Sequence, residues 1–214
     1  MRLRILMVEL VLIRHGQTAW NQEKIFRGRT EIPLSEDGLK QAQILASSFE
    51  GSAADAVFSS PLLRAVQTAE PLAHTLEIPL YKDDSLVDVD FGYWSGLRRD
   101  EVRKRYPTEW QRWESGDLSL RFPGGESLLD VQQRLARFLD SCVRNLTDKR
   151  LLVVTHRVPL KLIMAYILHS PTSFWQFVFD TTSVSRIQHN GKYWSLLSLN
   201  DTHHLRGQNS QEDF

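Results

Sequence analysis

The sequence predicts an α/β fold, a three-layer sandwich in which a mainly parallel sheet is flanked by helices. Three observations carry that expectation. Short, almost unbroken apolar runs recur at 8–13, 56–59 and 151–154, the pattern of strands buried on both faces. Each run passes through a polar turn, and segments whose apolar residues step by three and four alternate with the runs, as in amphipathic helices. Finally, two short segments, 184–188 and 193–199, flank Asn190-Gly191, which reads as a closing hairpin.

Taken in order, the first strand ends directly at Arg14-His15-Gly16. The charged and apolar residues before it are interrupted by Glu9, with no small-residue cleavage site after them, so a strand explains them better than a leader does. Ser35 can cap a helix whose first turn holds Glu36 and Asp37, with Leu39, Ala42, Ala46 and Phe49 as its buried stripe. Pro61 opens the helix after the second strand, which runs to about Leu76. Ser127 opens the most regular helix, with Leu128, Val131, Leu135, Phe138, Cys142 and Leu146 on one face. The third strand leads through Thr155-His156-Arg157-Val158-Pro159 into another helix.

Length and composition narrow the function. The 214 residues suit one domain, 1–205, followed by a polar tail, 206–214. Twenty-six basic residues balance 26 acidic ones, which argues against nucleic-acid binding through a bulk positive field. Cys142 is the single cysteine, so a disulfide framework is excluded and a reducing compartment, the cytoplasm, is expected. The longest apolar stretch, 160–168, contains Lys161 and falls short of the roughly 20 residues that cross a bilayer. No membrane partner is expected.

In open α/β sheets the ligand crevice lies beyond the carboxyl ends of the strands. Arg14-His15, Arg64 and His156-Arg157 all follow strands, so they should converge there. The segment Arg14-His15-Gly16-Gln17-Thr18-Ala19-Trp20-Asn21 resembles the R-H-G-x-T-x-x-N signature of the histidine phosphatase superfamily. Five fixed residues at average usage make a chance match on the order of one in ten thousand. The resemblance extends through Phe26-Arg27-Gly28, Pro33-Leu34-Ser35, Ser59-Ser60-Pro61-Leu62-Leu63-Arg64, Asp90-Phe91-Gly92, Pro123-Gly124-Gly125-Glu126-Ser127 and Val153-Val154-Thr155-His156.

The resemblance implies a small phosphorylated metabolite as partner, no cofactor, no metal, and a phosphohistidine formed on His15. Arg14 and Arg64 would disfavour the protonated imidazole and bind phosphate oxygens bidentately, with His156 and Asn21 as further donors. A carboxylate before the Phe-Gly pair serves as general acid in this family, which places Asp88 in that role and leaves Asp90 as its competitor. Asp88 departs from the family's glutamate and is one methylene shorter. Arg157 is a second departure, since relatives commonly carry glycine there. Together with Arg27 and Arg29 it favours a substrate with another anionic group, unless the three pair with acids instead. Gly28 joins Asn21, Arg27 and Arg157 as a substrate-binding position.

Each residue also has a plainer reading. A lone His15 or Arg64 is an ordinary histidine or solvated arginine, and only the surrounding motif lifts it. Trp110 and Trp113, with Tyr106, read as core, the alternative being a lid wall over the substrate. Glu126 reads as a helix-start acid, the alternative being a role in the site. Phosphatase is preferred over a phosphoglycerate mutase because Asp88-Val89-Asp90-Phe91 replaces the mutases' Glu-Arg-His-Tyr and no arginine pair lies between Trp113 and Pro123. A binding protein that kept the fold and lost turnover is the third alternative, and a homodimer is compatible with all three.

Overall fold

The computed structural model describes residues 7–206. The expectations on the first six residues, and on the tail beyond Arg206, lie outside them. Among the described residues six strands form one sheet in the order β3-β2-β4-β1-β5-β6. β1 (Val8–Arg14) and β4 (Lys149–Thr155) pair in parallel at its centre, β2 (Ala56–Ser59) lies parallel to β4, and β3 (Leu80–Lys82) parallel to β2. The hairpin strands β5 (Val184–His189) and β6 (Trp194–Asp201) complete it antiparallel, β5 against β1.

The continuous apolar character of β1 follows from its central place, because successive side chains leave a strand on opposite faces. Leu10 and Leu12 enter a core shared with α6 (Leu128–Asn145) and α7 (Arg157–Ile167). Val11 and Ile13 enter a second core with α2 (Glu36–Ser48) and α3 (Leu63–Leu76). The three layers are thus helices, sheet and helices. α6 is closed at its start by Ser127, whose hydroxyl accepts from the Asp130 N–H at 3.1 Å while Asp130 Oδ2 accepts from the Ser127 N–H at 2.9 Å. Cys142 lies buried on its core stripe, where burial pushes the thiol up to about 12.

Three local expectations need correction. The helix after β2 starts at Leu63, with Leu62 rather than Pro61 at its cap, and it carries Pro71 inside it. Leu39 is exposed, because α2 turns the face of Gly38, Ala42, Leu45 and Ala46 inward instead. Gly38 sets that rotation: a Cβ there would run into the Gln17 carbonyl. The expected stripe residue Leu146 caps α6 and is only partly buried.

Several elements had no clear sequence signal. They are β3, the one-turn α1 (Ala19–Gln22), α4 (Arg99–Arg105) and α5 (Pro107–Glu114). Trp110 and Trp113 on α5 are buried, and Trp113 meets Phe26, Phe91, Phe122, Phe174 and Trp175 edge-on. They are core residues, as the plainer reading had it. Among the described residues no helix is long and apolar enough to cross a membrane.

Candidate active site

Strand register brings the two motif histidines together. Arg14 is paired with Thr155 across β1 and β4, so the next residues, His15 and His156, leave the sheet side by side. Neighbouring strands lie about 4.8 Å apart, and the two imidazole centroids are 5.1 Å apart with their planes tilted by 59°. The His15 N–H continues the ladder by donating to the Thr155 carbonyl at 3.0 Å. His156 is the N-cap of α7. On the far side of β4, Ser60 follows β2 and its N–H donates to the Val154 carbonyl at 2.9 Å.

His15 is almost fully buried, and its Nδ1 lies 2.7 Å from the Gly16 carbonyl oxygen. A carbonyl only accepts, so Nδ1 carries the proton and Nε2 holds the lone pair. Burial, then the charges of Arg64, Arg14 and Arg27, hold the His15 pKa well below the ordinary 6.5, outweighing the opposing bond to Gly16. The result is a neutral imidazole with a nucleophilic nitrogen inside a cationic setting. His156 is neutral for the same reasons, with burial first and Arg64 next.

Backbone carbonyls help to anchor both arginines. Arg14 Nη1 donates to the Phe179 carbonyl at 2.6 Å. Arg64 donates to the Thr30 carbonyl at 3.0 Å and the Gly28 carbonyl at 2.7 Å, and pairs with Asp88 Oδ2 at 3.2 Å. Burial pulls Arg64 down to about 10 against the pull of Asp88, so it stays charged at neutral pH. Gly28 can aim its carbonyl this way because its φ is +50°, and a Cβ there would crowd the Val89 carbonyl oxygen. The Gly28 carbonyl thus helps to hold Arg64.

The remaining sequence candidates separate clearly. Arg27, Asp88 and Arg157 line one cavity with Phe91 and Val158, so Arg27 and Arg157 join the site. Arg29 does not: it is half-exposed and pairs with Glu126 at 3.1 Å. Asn21 is buried, and its Oδ1 accepts from both the Thr18 N–H and hydroxyl at 2.7 Å, leaving only Nδ2 to donate elsewhere. Asp88 Oδ2 lies 3.9 Å from His156 Nδ1. Asp90 instead accepts from the Gly92 N–H at 2.9 Å, closing a turn.

Two further features border the site. Ser60 Oγ lies 2.8 Å from His156 Nε2; its place inside the Ser59-Ser60-Pro61 segment was the available signal. Glu126 and Arg134 form a clamp on the loop that carries Asp88. Glu126 Oε1 accepts from the Asp90 N–H at 2.9 Å and from Arg134 at 3.0 Å, while Arg134 donates to the carbonyls of Ser85 at 2.6 Å and Asp88 at 3.1 Å. Arg134 lies between two stripe residues of α6, Val131 and Leu135, and nothing in its spacing marks it.

Residues 10–202 match the sequence profile of the histidine phosphatase superfamily, branch 1. The chain belongs to that family. Phosphoserine phosphatase 1 of Hydrogenobacter thermophilus is 35% identical over 200 residues, which cover 93% of this chain and 95% of that one. The solved structure of Bacillus stearothermophilus YhfR superposes with a TM-score of 0.86 at 32% identity, covering 92% and 98%. Phosphoserine phosphatase from Entamoeba histolytica, solved in complex with 3-phosphoglyceric acid, gives a TM-score of 0.84 at 27% identity over 92% and 99%. As a histidine phosphatase, this chain is an enzyme of phosphate monoester hydrolysis.

Proposed function

We propose that this histidine phosphatase hydrolyses a small phosphomonoester bearing a second anionic group, with His15 Nε2 as nucleophile. One observation carries the reading: the His15 Nδ1 N–H donates to the Gly16 carbonyl, in a site where burial and then the neighbouring arginines keep the ring neutral. In the first step Nε2 attacks phosphorus and the bond to the leaving oxygen breaks. Asp88, which must enter this step as the neutral carboxylic acid, gives that oxygen its proton and becomes the carboxylate, while Arg14 and Arg64 take up the charge on the equatorial phosphoryl oxygens. In the second step water attacks the phosphohistidine, the N–P bond breaks, Asp88 takes the water's proton, and phosphate leaves.

Arg27 and Arg157, both lining the cavity beside Asp88, suit a carboxylate on the substrate. Phosphoserine and 3-phosphoglycerate, named with two of the relatives, therefore head the substrates to screen. The single buried cysteine fits a reducing, cytoplasmic setting.

The test is hydrolysis of p-nitrophenyl phosphate and of a phosphorylated-metabolite panel in the presence of chelator, with acid-stable and acid-labile phosphoenzyme measured after rapid quenching. Wild type should turn over without added metal and accumulate acid-labile label, and His15→Ala should do neither. Metal dependence, or activity surviving in His15→Ala, would overturn the mechanism. A phosphoglycerate mutase rate above the hydrolysis rate would overturn the choice of water as acceptor.

A further inference from the structure

We propose that the Ser60 hydroxyl fixes His156 in the tautomer protonated at Nδ1, so that His156 meets the transferring phosphoryl group as a hydrogen-bond donor. Ser60 is thereby a positioning residue for the reaction at His15, and the proposal rests on that reading of His15. The geometry begins in the sheet. Ser59 is paired with Val154 across β2 and β4, so Ser60 emerges beside the end of the strand that delivers His156. Ser60 and His156 are both completely buried, and water cannot substitute for a missing partner.

Counting donors and acceptors decides the proton positions. Ser60 Oγ has two hydrogen-bond partners among the described residues, His156 Nε2 at 2.8 Å and the Leu62 N–H at 3.3 Å. The Leu62 N–H can only donate. The hydroxyl proton therefore goes to Nε2, and the ring proton of the neutral imidazole sits on Nδ1. Among the described residues His156 Nδ1 has no hydrogen-bond partner, and it lies 3.9 Å from Asp88 Oδ2. An N–H is attracted to that oxygen, whereas a lone pair there would be repelled by it. The opposite tautomer would strand the hydroxyl proton and set a ring lone pair against a carboxylate.

The chemistry needs this choice. His156 stands 5.1 Å from the nucleophilic ring, and a transferring phosphoryl group offers only acceptor oxygens. With Nδ1 protonated, His156 donates to that group without carrying charge of its own. With Nε2 protonated and turned to Ser60, Nδ1 would hold only a lone pair and the ring could not donate to phosphoryl oxygen. Burial and the neighbouring arginines, which keep His156 from taking a second proton, leave the tautomer as the one variable that Ser60 can set.

Ring nitrogen chemical shifts in uniformly 15N-labelled protein, assigned with His156→Gln and His15→Ala, read the tautomer without turnover. Wild type should show an acceptor-type Nε2 and a protonated Nδ1 on His156. Ser60→Ala should mix the two forms and lower kcat about tenfold, the worth of one neutral hydrogen bond, with KM changed less than about twofold. Ser60→Thr keeps the hydroxyl and should restore both signatures. A protonated Nε2 in wild type, or a Ser60→Ala enzyme with unchanged shifts and kcat, would overturn the proposal. If Ser60→Ala does not fold, Ser60→Cys, whose thiol is a weak donor, should shift the tautomer and kcat in the same direction, and no change in it would likewise overturn it. An inactive wild type would instead sink the phosphatase reading, while the shifts would still decide the tautomer.

Discussion

Asp88→Asn separates the proton donation proposed for Asp88 from its structural part. Asp88 Oδ1 accepts from the Val89 N–H at 3.0 Å and Oδ2 pairs with Arg64 at 3.2 Å, with side-chain exposures of 8% and 0%. Removing one member of a buried pair outright costs about 3–5 kcal/mol. Asparagine keeps an amide oxygen, and Arg64 keeps the Gly28 and Thr30 carbonyls, so the loss should be nearer 1–3 kcal/mol. The catalytic loss should depend on the leaving group. An alkoxide needs a proton and should lose about 100- to 10,000-fold in kcat, whereas p-nitrophenolate leaves without one and should lose about tenfold or less. The assay compares kcat on phosphoserine and p-nitrophenyl phosphate at one pH, alongside urea unfolding to confirm the fold. Equal losses on both substrates would refute Asp88 as proton donor. So would a leaving-group-selective loss in Asp90→Asn, since that carboxylate is occupied with the Gly92 N–H.

The depressed pKa values of His15 and His156 make stability depend on pH in a defined direction. Below about 6.5 the unfolded chain binds protons that the fold refuses, so each histidine should remove about 1.4 kcal/mol per pH unit until its folded pKa is reached. Urea unfolding at pH 7.5, 6 and 5 should show this slope, reduced by one histidine's share in His15→Ala; a flat profile would contradict it. Glu126→Ala should free the Asp88 loop by removing the acceptor of the Asp90 N–H and of Arg134. Its unfolding free energy should fall about 1–3 kcal/mol, with the half-exposed Arg29 partner adding little. Its turnover should fall more on phosphoserine than on p-nitrophenyl phosphate, and a uniform loss would show that the clamp serves stability alone.

How far the primary structure could be read depended on whether the cause was local. The strand at 8–14, the capped helix at 128–145 and the hairpin around Asn190 declared themselves because burial on two faces, a 3.6-residue stripe and turn chemistry leave periodic traces. β3 left none, being three residues long and half-exposed beside β2. Leu39 was misplaced because the rotation of α2 is set by Gly38 against Gln17, a contact between separate segments. Likewise Arg27 and Arg29 share a charge and a neighbourhood in the chain, yet only the fold sends one to the cavity and the other to Glu126.

The sequence by itself determined the layered α/β class and named the candidates for the reacting groups, because strand burial and the Arg14-His15 and His156 segments are written in contiguous residues. Tertiary structure alone decided their states. The Arg14–Thr155 register put the two histidines 5.1 Å apart. Carbonyl groups from distant loops held the arginines. The Gly16 carbonyl and the Ser60 hydroxyl gave each ring a polar partner. A proton's position on an imidazole depends on which acceptor or donor lies within about 3 Å of each nitrogen, and that is settled only when the strands have come together.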